Sequence, residues 1–378
     1  MDIQDKVVRF YVQNYVMPRA LIFNKPGFVD FKISGKTNIF ARQLLVPESF
    51  FANLEKELVD SFGEKGKKVM YSLGKRFGYR FAQLGRFENI SDHPGDAVKQ
   101  WVTIASKFVE GTYASEISQD ADIKTKTVNY FLRNFAVCRV LGYDYFLATG
   151  GAAGVIAWIL QEPKIEGRLY DSKFEGTEHT CRVKCAVPEI LSRDFSSEVF
   201  TETNLGDLKP DFNNYMKFNE EVKIRYTKSF QSFLDSNVFK YSRGIITYGS
   251  ERFFLMEVSA TYLLELSMPD KKMKEKIFQT AFSTGKNLFP SLGANDLQSL
   301  VEMLSALGWG EVVALPGPKK QVIINHFPWT KFYKDIDYLM IGGLLSGIVS
   351  HVFGKNIRFG KPSIDLSHGH LALIFSES

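Results

Sequence analysis

The chain carries its own partner. Residues 144–160 (DYFLATGGAAGVIAWIL) align without a gap onto residues 337–353 (DYLMIGGLLSGIVSHVF), 193 residues further on. Asp-Tyr opens both copies, glycine recurs at Gly150 and Gly343 and at Gly154 and Gly347, and most other positions exchange one apolar residue for another. Solenoid repeats run about 20–50 residues, so this period implies two copies of a whole domain. The two halves are therefore expected to share one fold. The four glycines read as structural packing positions, where small residues let another element approach a buried helix backbone.

Other segments repeat as well. Residues 97–111 (AVKQWVTIASKFVEG) match residues 296–310 (DLQSLVEMLSALGWG), with Val102/Val301, Ser106/Ser305 and Gly111/Gly310 identical. Upstream, Arg42-x-Leu44-Leu45 is matched to Arg243-x-Ile245-Ile246, and Leu73-Gly74-Lys75 to Thr284-Gly285-Lys286. The drifting shift fits loops that gained and lost residues between fixed elements. The domain boundaries expected are 1–190, a linker at 191–204, and 205–378. At 378 residues, two domains of ordinary size can each bury a core.

Composition excludes several classes. The hydrophobic and charged fractions are those of a globular protein. The net charge of +5 is mild, and the cluster at residues 65–68 (KGKK) is too short for a nucleic-acid footprint. Three cysteines argue for a reducing, cytoplasmic setting rather than a disulfide framework, and the N-terminus has no secretory pattern. Phenylalanine is abundant at 33 residues, which suits aromatic cores or a pocket for a hydrophobic small molecule. Gly150-xxx-Gly154 resembles a membrane packing motif, but a spanning helix needs about 20 apolar residues, and no membrane span is expected.

The hydrophobic periodicity predicts the same order of elements in each half. The first opens with an amphipathic helix ended by Pro18. Strands at 21–23 and 28–33, helices at 49–62, 65–84 and 97–108, a strand at 128–135, the glycine-containing helix and a hairpin at 164–187 follow. The second half is read as helices near 211–234 and at 250–266, 273–289 and 296–307, a strand at 321–325, the helix at 343–353 and a hairpin at 357–375. Helices segregated from small antiparallel sheets define an α+β fold class.

This order of motifs resembles the 4-vinyl reductase-type domains, which are related in fold to transport protein particle subunits and to heme nitric-oxide-binding domains. Residues 42–47 leading into a helix, residues 73–78, the Gly150–Gly154 helix and the hairpin containing residues 178–183 carry the resemblance in the first half. Gly308-Trp309-Gly310 and the Gly343–Gly347 helix carry it in the second. The resemblance implies small-molecule binding and dimerising helical platforms, and it supplies no catalytic motif that transfers to this chain.

In aromatic-sensing relatives the resemblance also implies zinc, held by an acidic residue and three cysteines. Only Cys181 sits where such a ligand is expected. Tyr145 falls near the earlier cysteine position, and Tyr170-Asp171 falls at the first hairpin one. His179, Cys138 and Cys185 are the substitutes to consider. Cys181, Val183 and Cys185 alternate with Arg182 and Lys184, the pattern of a half-buried strand. Residues four apart on a strand lie about 13 Å apart at roughly 3.3 Å per residue, whereas zinc–thiolate bonds are about 2.3 Å. No metal is therefore expected, and the cysteines read as small buried apolar side chains. His368-Gly369-His370 in the second half reads as a surface turn.

No P-loop, nucleophile elbow or zinc-protease motif is present. Three readings follow: a non-catalytic ligand-binding or sensory protein acting through a partner, a macromolecular interaction scaffold built on an internal pseudo-dimer, and an enzyme acting on a tetrapyrrole or other hydrophobic molecule. The partners to consider are a hydrophobic small molecule, a protein, and a second copy in a homodimer. Fusion of self-complementary domains raises their effective concentration. The two halves are thus expected to pack through equivalent helices, with one free to become purely structural.

Overall fold

The computed structural model describes residues 3–32, 40–93, 95–138, 145–195, 205, 222–242, 245–288, 296–315, 317–328, 332–367 and 370–378. In chain order the elements are α1 (Ile3–Tyr11), β1 (Leu21–Ile22), β2 (Val29–Lys32), β3 (Phe40–Pro47), α2 (Glu48–Phe62), α3 (Glu64–Leu84), α4 (Val98–Tyr113), β4 (Glu116–Asp122), β5 (Thr127–Arg133) and α5 (Phe146–Ile159). Next come β6 (Glu166–Glu175), β7 (Glu178–Ala186), α6 (Pro188–Asp194), α7 (Phe230–Asp235), β8 (Lys240–Ser242), β9 (Ile245–Tyr248) and β10 (Glu251–Glu257). The chain closes with α8 (Ser259–Leu266), α9 (Lys271–Leu288), α10 (Leu297–Leu304), β11 (Glu311–Leu315), β12 (Gln321–Phe327), α11 (Leu339–Phe353), β13 (Ser363–Asp365) and β14 (Leu371–Ser376). Helices on antiparallel sheets make the protein α+β.

The chain forms two compact units, each drawn from several segments. The first contains Met1–Ala20, Glu55–Pro210 and Tyr241–Ile246; the second contains Leu21–Leu54, Asp211–Lys240 and Thr247–Ser378. The units therefore cut across the sequential halves 1–190 and 205–378. Of the linker expected at 191–204, residues 196–204 lie outside the described residues, and α6 runs into its start.

In the first unit the sheet runs β4-β5-β7-β6, antiparallel throughout. In the second an antiparallel sheet runs β11-β12-β14-β13, the same topology. The second unit also holds the run β1-β2-β3-β10. There β3 pairs with β10 around Leu45 opposite Leu255.

Each unit is organised by one close helix crossing. In the first, α3 and α5 approach so tightly that a Cβ on Gly150 would lie 2.1 Å from the Tyr71 carbonyl oxygen, and one on Gly154 would lie 2.1 Å from that of Lys75. Gly74 and Gly78 on the facing helix would collide with the Leu147 and Gly151 carbonyls at 2.0 Å. In the second unit α9 crosses α11: a Cβ on Gly343 would meet the Phe278 carbonyl oxygen at 2.6 Å, and one on Gly347 that of Phe282 at 2.1 Å. At these glycines the contact is backbone against backbone. At 14 and 15 residues, α5 and α11 span about 22 Å at 1.5 Å per residue, short of a bilayer core. No described helix is long and apolar enough to cross a membrane.

Both glycine helices begin on a buried carboxylate. Glu55 accepts from the Phe146 and Leu147 amides at 2.9 and 3.0 Å, and Glu265 accepts from those of Asp337 and Leu339 at 2.7 and 2.5 Å. Each satisfies otherwise orphaned N–H groups and faces the positive end of the helix. These two glutamates lie 210 residues apart, the spacing that also relates Arg42 on β3 to Arg252 on β10. Arg243, matched to Arg42 from sequence, lies outside the described residues.

Several sequence expectations are corrected. Residues 250–266 hold a strand, β10, and then a helix, α8, rather than one helix. Arg252–Glu257 is buried on both faces, so no alternation marks it as a strand. The helix expected near 211–234 is found only as α7; residues 222–229 are not helical and 211–221 lie outside the described residues. Strands β4 and β11 were not expected. Pro18 does not end the first helix, which continues to Ala20 through a wide i→i+5 turn at Val12–Val16, a device that accommodates a missing amide donor. The Gly74/Gly285 match is one helical turn out of place: Gly285 packs on Leu344 as Gly78 packs on Gly151.

Candidate functional site

The first unit is filled at the place where its helix crossing meets the sheet. Tyr71 and Lys75 project from α3 toward Glu166, the first residue of β6, and all three side chains are buried. Lys75 Nζ donates to Glu166 Oε1 at 2.6 Å and to the Pro163 carbonyl at 3.0 Å. The Tyr71 hydroxyl donates to Glu166 Oε2 at 2.6 Å and accepts from the Gly167 amide at 2.7 Å. Burial pushes the Glu166 carboxyl upward, and Lys75 opposes the shift. Burial also holds the Tyr71 phenol well above its ordinary range, helped by the Glu166 charge. The network is closed and satisfied, the condition under which buried charge is tolerated.

Beside it stand the residues weighed as metal ligands. His179, Cys181 and Cys185 lie on the buried face of β7, and Cys138 is buried after β5. Burial first, then the Glu166 charge, pushes the Cys185 thiol far above neutral, the opposite of what a thiolate ligand needs. Among the described residues no three His, Cys, Asp or Glu side chains gather as a metal site. His179 instead joins two hydroxyls. Its Nε2 is 2.8 Å from the Tyr145 hydroxyl and 3.0 Å from Ser172 Oγ, and the two oxygens are 3.0 Å apart. Its Nδ1 has no partner among the described residues, and burial lowers its pKa.

Ser172 was not legible as part of this trio. It arrives through the β6–β7 register, which sets it opposite Cys181, beyond a bulge between Leu169 and Asp171 that sequence does not announce. In the second unit His370, expected in a surface turn, packs on His326 with ring centroids 4.3 Å apart. His368 and Gly369 lie outside the described residues.

The second unit replaces the polar network with aromatic carbon. The helix crossing aligns Tyr71 with Phe278 and Lys75 with Phe282, since Gly150 and Gly343 pack on the first pair and Gly154 and Gly347 on the second. Glu166 corresponds to Phe359 at the 193-residue spacing. Here a cavity of about 460 Å³ opens, floored by Phe278, Tyr338, Leu339, Gly342 and Phe359. Its rim carries Lys271, Lys274, Glu275, Asp337, Arg358 and Lys361.

The rim is partly committed. Arg358 donates both terminal guanidinium nitrogens to Glu275 at 3.1 and 3.0 Å and lies over the Phe278 ring at 4.0 Å. Lys361 donates to Asp337 at 2.6 Å. Sequence reasoning missed this site because its residues come from three separated segments. The signal that could have found it was the aromatic replacement of Tyr71, Lys75 and Glu166, legible once the helices are aligned in the right turn.

No family model matches the chain, and no curated protein matches it. Among solved structures the chain is similar to the phenol-responsive sensory domain of the transcription activator PoxR, crystallised with phenol: 17% identity, a TM-score of 0.33, and coverage of 50% of this chain and 92% of that one. The resemblance to vinyl-reductase-type domains rests on the motifs alone.

Proposed function

We propose that the protein is a non-catalytic ligand-binding or sensory module whose small-molecule site is the cavity of the second unit. The observation that carries this reading is the contrast at one position of the fold: a closed ion-pair network in the first unit and an aromatic-floored cavity in the second. About 460 Å³ is within the usual size for small-molecule sites. Native mass spectrometry of protein purified from its source tests it. The expected result is a retained organic molecule that is lost when Leu339→Trp fills the cavity. Retention undiminished in that variant would sink the proposal.

We read the internal repeat as a domain duplication forming a vinyl-reductase-type pseudo-dimer, with boundaries at 1–190 and 205–378. The pairing of β3 with β10 around Leu45 and Leu255 supports this, as do the matching Glu55 and Glu265 caps. Co-expressed halves should copurify; halves that are both stable and stay apart would contradict it. The signal is read as passing to a protein partner, supported by Val7, Phe10 and Tyr11, which are about 60% exposed on α1. A ligand-dependent change in sedimentation that disappears with the double variant Phe10→Ser/Tyr11→Ser checks this point.

A further inference from the structure

The cavity rim is electrically lopsided. Four cations face two carboxylates, and both carboxylates are already engaged: Glu275 by Arg358 and Asp337 by Lys361. The remaining cations are Lys271 and Lys274, one turn apart at the start of α9. Neither ammonium has a hydrogen-bond or ion-pair partner among the described residues; Lys274 is half-buried, and its charge acts on the buried Glu265 carboxylate without a direct ion pair. The floor is apolar and aromatic, and Arg358 roofs Phe278 at 4.0 Å.

From this arrangement we infer that the ligand is an organic anion, with a flat hydrophobic body seated on Phe278 and Phe359 and a carboxylate or other acidic head held between Lys271 and Lys274. The inference rests on the reading of this cavity as the ligand site. The chemistry follows from what each part of the lining lacks. The floor has no free polar group to orient a sugar or a nucleobase, so the body must be apolar. The unpaired ammoniums are compact point charges that accept an anionic head without the bidentate geometry arginine demands. A cationic ligand is disfavoured because the two rim carboxylates are committed, and a neutral one leaves two lysines unused beside a partly dehydrated floor, where charge interactions gain strength. Arg358, fixed by Glu275, contributes an additional planar cation for stacking an aromatic body.

The test compares 2-naphthoate with its neutral counterpart 2-naphthylmethanol by titration calorimetry on the full chain. The expected result is that the carboxylate binds more tightly by about tenfold or more, with the preference shrinking as salt is raised. In the double variant Lys271→Gln/Lys274→Gln the two probes should bind alike. Leu339→Trp should abolish binding of both. Equal affinity of the two probes for the wild-type protein overturns the anion assignment and leaves the cavity reading standing. Binding unaffected by Leu339→Trp, or no binding of either probe at millimolar concentration, overturns the cavity reading and this inference with it. A carboxylate preference that survives the double lysine variant overturns the assignment of the head to Lys271 and Lys274.

Discussion

The two helix crossings are built alike and lined differently. Beneath α3 and α5 lie Tyr71, Lys75 and Glu166; the matching positions beneath α9 and α11 are Phe278, Phe282 and Phe359. The glycines at the crossing and the glutamate at the helix start serve the same purposes in both units, because they satisfy backbone requirements that any such crossing has. Side chains away from the backbone contact face no such demand. One unit has closed its interior with charge that must be fully paired, and the other has kept apolar walls and an opening. A frame shared by both units therefore preserves what the backbone needs and frees the rest.

Predictions follow from the strength of each contrast. The largest effect is expected at the shared feature: Gly154→Leu and Gly347→Leu each drive a Cβ to 2.1 Å from a carbonyl oxygen, at a cost of about 4 kcal/mol or more, so both variants should lose cooperative folding in chemical denaturation. A mild effect in either unit would break the equivalence of the crossings.

Next is the network present in only one unit. Glu166→Ala strands the buried Lys75 and should destabilise by about 3–5 kcal/mol, whereas the triple change Tyr71→Phe/Lys75→Met/Glu166→Leu should cost under about 2 kcal/mol. Denaturation midpoints of the two variants decide the matter; a triple variant worse than the single one would mean that the charges are not interchangeable with the apolar lining of the second unit.

A smaller, pH-dependent effect belongs to the second unit. Burial, reinforced by His370, lowers the His326 pKa to about 4, below the ordinary value near 6.5. The unfolded chain therefore takes up a proton at a higher pH than the native one. Stability contributed by neutral His326 is present above about pH 6.5 and lost as pH falls through 4, by about 1–3 kcal/mol in total. His326 has left-handed backbone (φ 60°), as does Asn134 (φ 49°) at the end of the corresponding strand β5. Asparagine tolerates that conformation, so His326→Asn should fold and show a flatter stability profile between pH 6.5 and 4. An unchanged profile would assign the dependence elsewhere.

The smallest expected effect is a gain. Gly151 lends its backbone to the crossing, yet a Cβ there would lie 3.9 Å from its nearest neighbour, the Gly74 carbonyl oxygen, and Gly151→Ala should stabilise by up to about 1 kcal/mol through helix propensity.

Much of the fold was legible because helices α3, α4, α5, α9 and α11 carry strong periodic or uniformly apolar patterns. Elements that failed to show themselves did so for definite reasons. β10 is buried on both faces, so its residues read equally well as helix. β4 is a polar edge strand with only Ile117 fully buried, and its identity depends on β5 beside it. The four repeated glycines were legible as packing positions, but the helix they meet was matched one turn out, since Gly74, Gly78 and Gly285 are indistinguishable without the partner backbone.

The sequence by itself determined the repeat, the α+β class and the requirement for small residues where helices touch, because these depend on local pattern and on the volume of single side chains. The tertiary structure alone decided that Glu55 and Glu265 cap the glycine helices, that Tyr71, Lys75 and Glu166 form a closed network, and that Lys271, Lys274, Phe278 and Phe359 share a cavity. Each of those facts joins residues about 70 to 100 positions apart. Their chemistry exists only after the helix crossing and the strand register have set which side chains face one another, and no local preference encodes that choice.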